Sequence, residues 1–135
     1  MRQLSSAFIV VLALAVGSLH LALDQVLFHW NFVFTRQGHT SFNVLGVLFI
    51  LNFVGYVASV SFFLWAQRRT GAMVRVANFL LLAMTVGTLV GWNIIRRPNP
   101  RGLGTIAVSI EILLVVLLLV RIATSQRRRA LSPAT

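Results

Sequence analysis

Cysteine is missing from this chain of 135 residues, and its acids number only two. Without cysteine there is no disulfide, no thiol chemistry and no Cys-ligated metal or iron–sulfur cluster. Only 10% of the residues are charged, against about 25% in a soluble domain. That is too little charge to keep a surface in water. Lysine is absent too, so all twelve basic residues are arginines, and the formal net charge is +10. These arginines sit between or beyond long apolar runs, a placement that suits anionic headgroups and orientation signalling and argues against nucleic acid as a partner.

What is present is hydrocarbon-like sequence: 58% hydrophobic residues and a mean hydropathy of +0.87. The apolar residues fall in four runs, about 5–28, 42–66, 73–95 and 103–123. At 1.5 Å per residue each run reaches ~30 Å or more, enough to cross a bilayer. Backbone in lipid must satisfy its own hydrogen bonds, and no alternating barrel pattern appears, so the runs read as helices. Short connections with turn residues (Gln37-Gly38-His39-Thr40-Ser41, Thr70-Gly71, Pro98-Asn99-Pro100 with Gly102) predict an all-α, up-down-up-down antiparallel four-helix bundle. The runs form one transmembrane domain over 1–126, and 127–135 reads as a short basic and polar tail. Trp30, Trp65 and Trp92 fall at predicted helix ends, where interfacial rings are expected.

With both termini inside, eight arginines lie on the inner side and four, Arg36, Arg96, Arg97 and Arg101, on the outer. This balance predicts a bacterial cytoplasmic (inner) membrane protein with both termini cytoplasmic. Arg96, Arg97 and Arg101 run against the trend and are candidates for contact with an anionic partner or headgroup, as are Arg127, Arg128 and Arg129. Met1-Arg2 before an apolar core resembles a signal peptide, with Ala15-Val16-Gly17 as a cleavage site. The run continues to Phe28, so it is expected to stay as helix one.

The two acids, Asp24 and Glu111, both lie inside predicted spans, where an ionisable group costs ~2.5–3.5 kcal/mol at the helix centre. Counting from the outer end of each helix places His20, Glu111, Asn52, Thr85 and Thr88 ~10–15 Å deep, in one layer. Ala13, Gly17, His20 and Asp24 share a face of helix one; Asn52, Tyr56 and Ser59 share a face of helix two, beside Gly55. The layer predicts a network in which His20 or Asn52 partners Glu111 and Asp24 tethers His20 one turn away. Gly17 and Gly55, with the Ala83, Gly87, Gly91 series, are expected to permit close helix approach. Set against this, polar residues in membrane bundles often serve only as packing glue, at ~0.6 kcal/mol per interhelical hydrogen bond.

No metal is expected, although His20, Asp24 and Glu111 are ligand types. His20 and His29 share one helix and His39 lies in a connection, so bis-His haem within one chain is disfavoured. His29 and His39 are expected to be interfacial.

The stretch His20-Leu21-Ala22-Leu23-Asp24, followed by Phe42-Asn43-Val44-Leu45-Gly46-Val47-Leu48-Phe49-Ile50-Leu51-Asn52-Phe53-Val54-Gly55-Tyr56, resembles small four-helix membrane proteins of GC-rich bacteria. More loosely it is similar to the DoxX-like proteins. The resemblance covers helices one and two and implies a helper role beside membrane-bound redox assemblies. It carries over no catalytic residue.

Two classes of function stand from the sequence. The chain is read first as an accessory or structural subunit, docked on a larger membrane partner or on copies of itself. The alternative is a binder or carrier of a small lipophilic ligand, a quinone or a lipid, or a proton or ion pathway, around His20, Asn52, Tyr56 and Glu111. An enzyme using His20 with Asp24 or Glu111 as acid and base is a third option that no spacing requires.

Overall fold

The structure, a computed structural model, describes residues 2–28, 33–36, 39–42, 44–69, 71–94 and 102–130. Four long helices dominate: α1 (Arg2–Phe28), α2 (Val44–Ala66), α3 (Gly71–Ile94) and α4 (Leu103–Ala130). Each contains a stretch of 23 or 24 residues that is long and apolar enough to cross a membrane. The chain is therefore a multi-pass membrane protein, and its fold is an all-α four-helix bundle. Backbones pack closely along α1–α2, α2–α3, α3–α4 and α4–α1, and side chains such as Tyr56 and Glu111 meet across the diagonal. The helices thus form a closed ring in chain order, as short connections demand.

One element departs from the sequence expectation. The first connection is not a simple turn: β1 (Val33–Arg36) and β2 (His39–Phe42) form an antiparallel hairpin, with Val33 opposite Phe42 and Arg36 opposite His39. Phe42, expected to open the second span, instead ends β2, and the helix starts at Val44. The local sequence explains it. Val33-Phe34-Thr35 and Thr40-Ser41-Phe42 are rich in β-branched and aromatic residues, and only two residues, one a glycine, separate the strands. At the far end, α4 continues to Ala130, so Arg127, Arg128 and Arg129, expected in a polar tail, are helical.

The exterior is apolar as well as the core, which buries Ile9, Phe63, Leu81, Leu114 and Leu118 beside small and polar residues. Large apolar side chains such as Ile94 (74% exposed) and Val11 (61%) point outward, while Ala13, Ala66, Ala77 and Ala107 are fully or almost fully buried. This is what lipid selects: burying apolar surface gains little when the solvent is itself apolar, so small residues and polar contacts line the seams. Gly17 is one such seam. A Cβ there would lie 3.2 Å from Tyr56 Cβ and 3.4 Å from Phe53, so its bare backbone lets α1 close onto α2. Serine and threonine hydroxyls are tolerated because they bond their own helix, as Thr85 does to the Leu81 carbonyl at 2.8 Å.

At the end where α1 begins, α2 terminates in tightened turns, with Arg68 N–H bonding Trp65 O and Arg69 N–H bonding Ala66 O. The Arg69 guanidinium lies 4.9 Å from the centroid of the Trp65 ring. From α4, Arg121 reaches across the same end: Nη1 donates to Ser6 Oγ of α1 and Nη2 to Gln67 Oε1, both at 2.7 Å. Its guanidinium also covers the Phe63 ring at 5.0 Å. One cation thereby ties three segments together. At the opposite end Gly102 precedes α4 with φ 78°, a backbone conformation that glycine adopts at no steric cost.

Candidate functional site

Helix periodicity delivers the polar residues to one interior layer. On α1, Ala13, Gly17, His20 and Asp24 are all buried. Glu111 of α4 is 1% exposed and Tyr56 of α2 is 0% exposed. His20 Nδ1 lies 2.9 Å from the Val16 carbonyl. A carbonyl oxygen only accepts, so Nδ1 carries the proton and Nε2 is the free ring position. That Nε2 faces Glu111 Oε1 at 3.8 Å. The Tyr56 hydroxyl donates to the same oxygen in a long hydrogen bond of 3.5 Å, and the second oxygen, Oε2, has no hydrogen-bond partner among the described residues. The Thr85 and Thr88 side chains also interact with the Tyr56 phenol. A neutral imidazole and a carboxylate would turn two acceptors toward each other. One proton between them, on either atom, removes the conflict. At 3.8 Å the His20–Glu111 pair is within ion-pair reach, and a single proton on either partner suffices to make it favourable.

The rest of the expected network is arranged differently. Asp24 does not tether His20: the ring's Nδ1 is engaged with Val16, and both Asp24 oxygens are buried without a hydrogen-bond partner among the described residues. Both residues lie on α1 one turn apart, but Nδ1 bonds the helix's own Val16 carbonyl. Nor does Asn52 partner Glu111. Asn52 Nδ2 donates to Thr88 Oγ1 at 2.8 Å, joining α2 to α3. The Thr88 hydroxyl proton goes to the Met84 carbonyl at 2.9 Å, so Thr88 can only accept from Asn52. That fixes the amide with its Oδ1 unpartnered. Among the described residues, no three His, Asp or Glu side chains gather as a metal-binding group.

The Ala83, Gly87, Gly91 series also plays another part than expected. A Cβ at Gly87 or Gly91 would meet nothing within 4 Å, so neither glycine lets a helix of this chain approach. These small residues instead line a cavity of about 350 Å³ between α2 and α3. Its outer rim includes the exposed Leu48 and Leu51. His20, Phe49 and Trp92 contribute from the buried side, with Asn52 and Thr88 as further polar lining. The His20 ring lies 5.9 Å from Phe49 and, edge-on, 6.4 Å from Trp92. Trp92, expected at the interface, is a core residue here, packed with Leu23 and Phe49. Trp65 is 45% exposed, and Trp30 lies outside the described residues.

Sequence reasoning passed over Asn78, Trp92 and Met84. The signal for the first two was available: Asn78, Leu81, Thr85, Thr88 and Trp92 recur at helical spacing and are all buried on α3. Arg96, Arg97 and Arg101 lie outside the described residues, as does His29. Comparison with protein-family models, curated proteins and solved structures finds no match.

Proposed function

We propose that this membrane protein binds a small lipophilic ligand, a quinone or a lipid with a compact polar head, in the cavity between α2 and α3. The observation that carries this reading is the cavity itself. About 350 Å³ of space has apolar walls and only a few polar groups, His20, Asn52 and Thr88, at defined positions. That combination is the usual make-up of a small-molecule site. The exposed residues at its rim set its mouth toward the acyl chains, so a ligand enters from the bilayer. The His20–Glu111 pair beneath it would let a bound head group exchange one proton with the protein interior. The arginine balance supports placement in a bacterial cytoplasmic membrane with both termini inside.

A second reading, an accessory subunit beside a larger membrane complex, draws support from the exposed Ala83 and Gly87 on α3, small residues of the kind that admit a partner helix. The loose likeness to DoxX-like proteins points the same way. Purification in mild detergent, with mass spectrometry of everything that travels with the chain, separates the two. A retained lipid or quinone supports the cavity reading. Membrane subunits at fixed stoichiometry, with no retained small molecule, replace it with the subunit reading. Gly87→Leu sharpens the test, because a Cβ at this position meets no neighbour within 4 Å and the longer side chain would reach into the cavity that Gly87 lines. The variant is expected to fold normally and to lose the ligand.

A further inference from the structure

Gly55 has a neighbour that makes it more than a packing residue. A Cβ added at Gly55 would lie 2.6 Å from Met84 Cε and 3.0 Å from Met84 Sδ. The thioether end of Met84 therefore rests in the notch that the missing side chain leaves on α2. Met84 also lines the cavity between α2 and α3, together with Ala83, Gly87 and Gly91 of its own helix. Its carbonyl is held by the Thr88 hydroxyl at 2.9 Å, which itself accepts from Asn52. The backbone at this point is thus anchored to both helices, and the long side chain is what can move. Methionine is unbranched with three rotatable bonds, so it parks wherever space is offered.

We propose that Gly55 and Met84 together set the girth of the cavity and so determine which tail it admits. This inference rests on the reading of the cavity as a binding site. With the thioether seated against Gly55, the space beside Ala83, Gly87 and Gly91 stays clear. Those residues span eight positions, ~12 Å of helix, which suits one extended alkyl tail. A methyl group at position 55 evicts the thioether, and the adjoining free volume is the cavity. Removal of the thioether widens the same space and admits a branched tail. Met84 is the specificity-determining residue that touches the tail, and Gly55 is a positioning residue that acts through it; the polar groups His20, Asn52 and Thr88 are left in place by the swap.

The test uses the full chain in detergent with Trp30→Phe and Trp65→Phe, which leaves Trp92, a cavity residue, as the one tryptophan. Two bromine-bearing probes are titrated and Trp92 quenching is read: 10-bromodecan-1-ol, and a methyl-branched bromoalcohol of the same chain length. In the parent the linear probe is expected to bind better. Gly55→Ala should weaken the linear probe by about tenfold, the scale of one misplaced carbon in an apolar pocket. Met84→Ala should raise the affinity of the branched probe relative to the linear one by about as much. Gly55→Ala with Met84→Ala should restore linear binding. Unchanged affinity in Gly55→Ala, or no restoration in the double variant, overturns the proposal while leaving the cavity reading intact. Should Gly55→Ala fail to fold, Met84→Ala alone decides, and an unaltered branched-to-linear ratio overturns it. No quenching by either probe in the parent defeats the cavity reading and this inference with it.

Discussion

Arg121 and Glu111 lie on the same helix, ten residues and so ~15 Å apart, yet the two charges are housed in different ways. At the end of the bundle where α1 begins, the Arg121 guanidinium has two 2.7 Å hydrogen bonds, to Ser6 and Gln67, and an aromatic face beneath it. Around the two acids of the central layer the contacts are long or missing. Glu111 is 3.5 Å from its phenol donor and 3.8 Å from His20, and Asp24 has no hydrogen-bond partner for either oxygen among the described residues. The first arrangement is what structural polar contacts in a membrane look like, because an unsatisfied group in hydrocarbon costs several kcal/mol. The second leaves that cost standing. Such groups are retained when a ligand or a proton completes them, which is why the incomplete region, and not the well-bonded one, is read as the functional part.

The largest expected effect comes from breaking the complete region. Arg121→Ala removes two charge-assisted hydrogen bonds, to Ser6 and Gln67, in a part-buried setting. It should cost about 3 kcal/mol of stability, read by reversible unfolding in mixed micelles. Arg121→Lys should recover less than half of this, because a single ammonium cannot reproduce the two-pronged contact. A loss below about 1 kcal/mol in the alanine variant would put Arg121 on the same footing as an ordinary surface charge and erase the contrast between the regions.

Next in size, and opposite in sign, is Asp24→Val. Because neither carboxylate oxygen is partnered among the described residues at 0% exposure, replacing it with an apolar side chain of similar width removes a standing cost. Stability should rise by about 1–3 kcal/mol. A fall of that size would mean that Asp24 holds a group of its own in the bilayer, and the central layer would then count as more complete than its contacts indicate.

How much of this was legible beforehand depended on which force wrote the feature. The four spans follow from hydropathy and length, which a bilayer enforces directly, so they could be read from the sequence. Burial of His20, Asp24, Tyr56 and Glu111 followed as well, since lipid pushes ionisable groups to the interior face of a helix. Pairing within the layer was not legible. Whether His20 turns to Asp24, to Glu111 or to its own Val16 carbonyl is decided by rotamers and by distances of a few tenths of an ångström, and spacing alone does not encode these. The stripe Ala83, Gly87, Gly91 shows the same limit. Small residues at four-residue intervals say that something comes close, but not whether it is a helix or a cavity. The hairpin after α1 is a different case. Its β-branched and aromatic residues flanking Gln37-Gly38 carry a strand-propensity signal that hydropathy, which marks only the spans, does not register.

The smallest effect probes the seam between the regions, where Asn52 donates to Thr88 and links α2 to α3. Asn52→Leu deletes that hydrogen bond and at the same time removes the unpartnered Oδ1, so gain and loss nearly cancel. Stability should change by no more than about 0.6 kcal/mol, the usual worth of one interhelical hydrogen bond in a membrane. Thr88→Val, by contrast, deletes the acceptor but leaves the amide in place with nothing to bond, and it should cost more than Asn52→Leu although it changes fewer atoms. The order of the two is the informative quantity. If Asn52→Leu proves the costlier, the Asn52 carbonyl oxygen has a partner in the bilayer, and that partner sits at the cavity wall where a ligand head is placed.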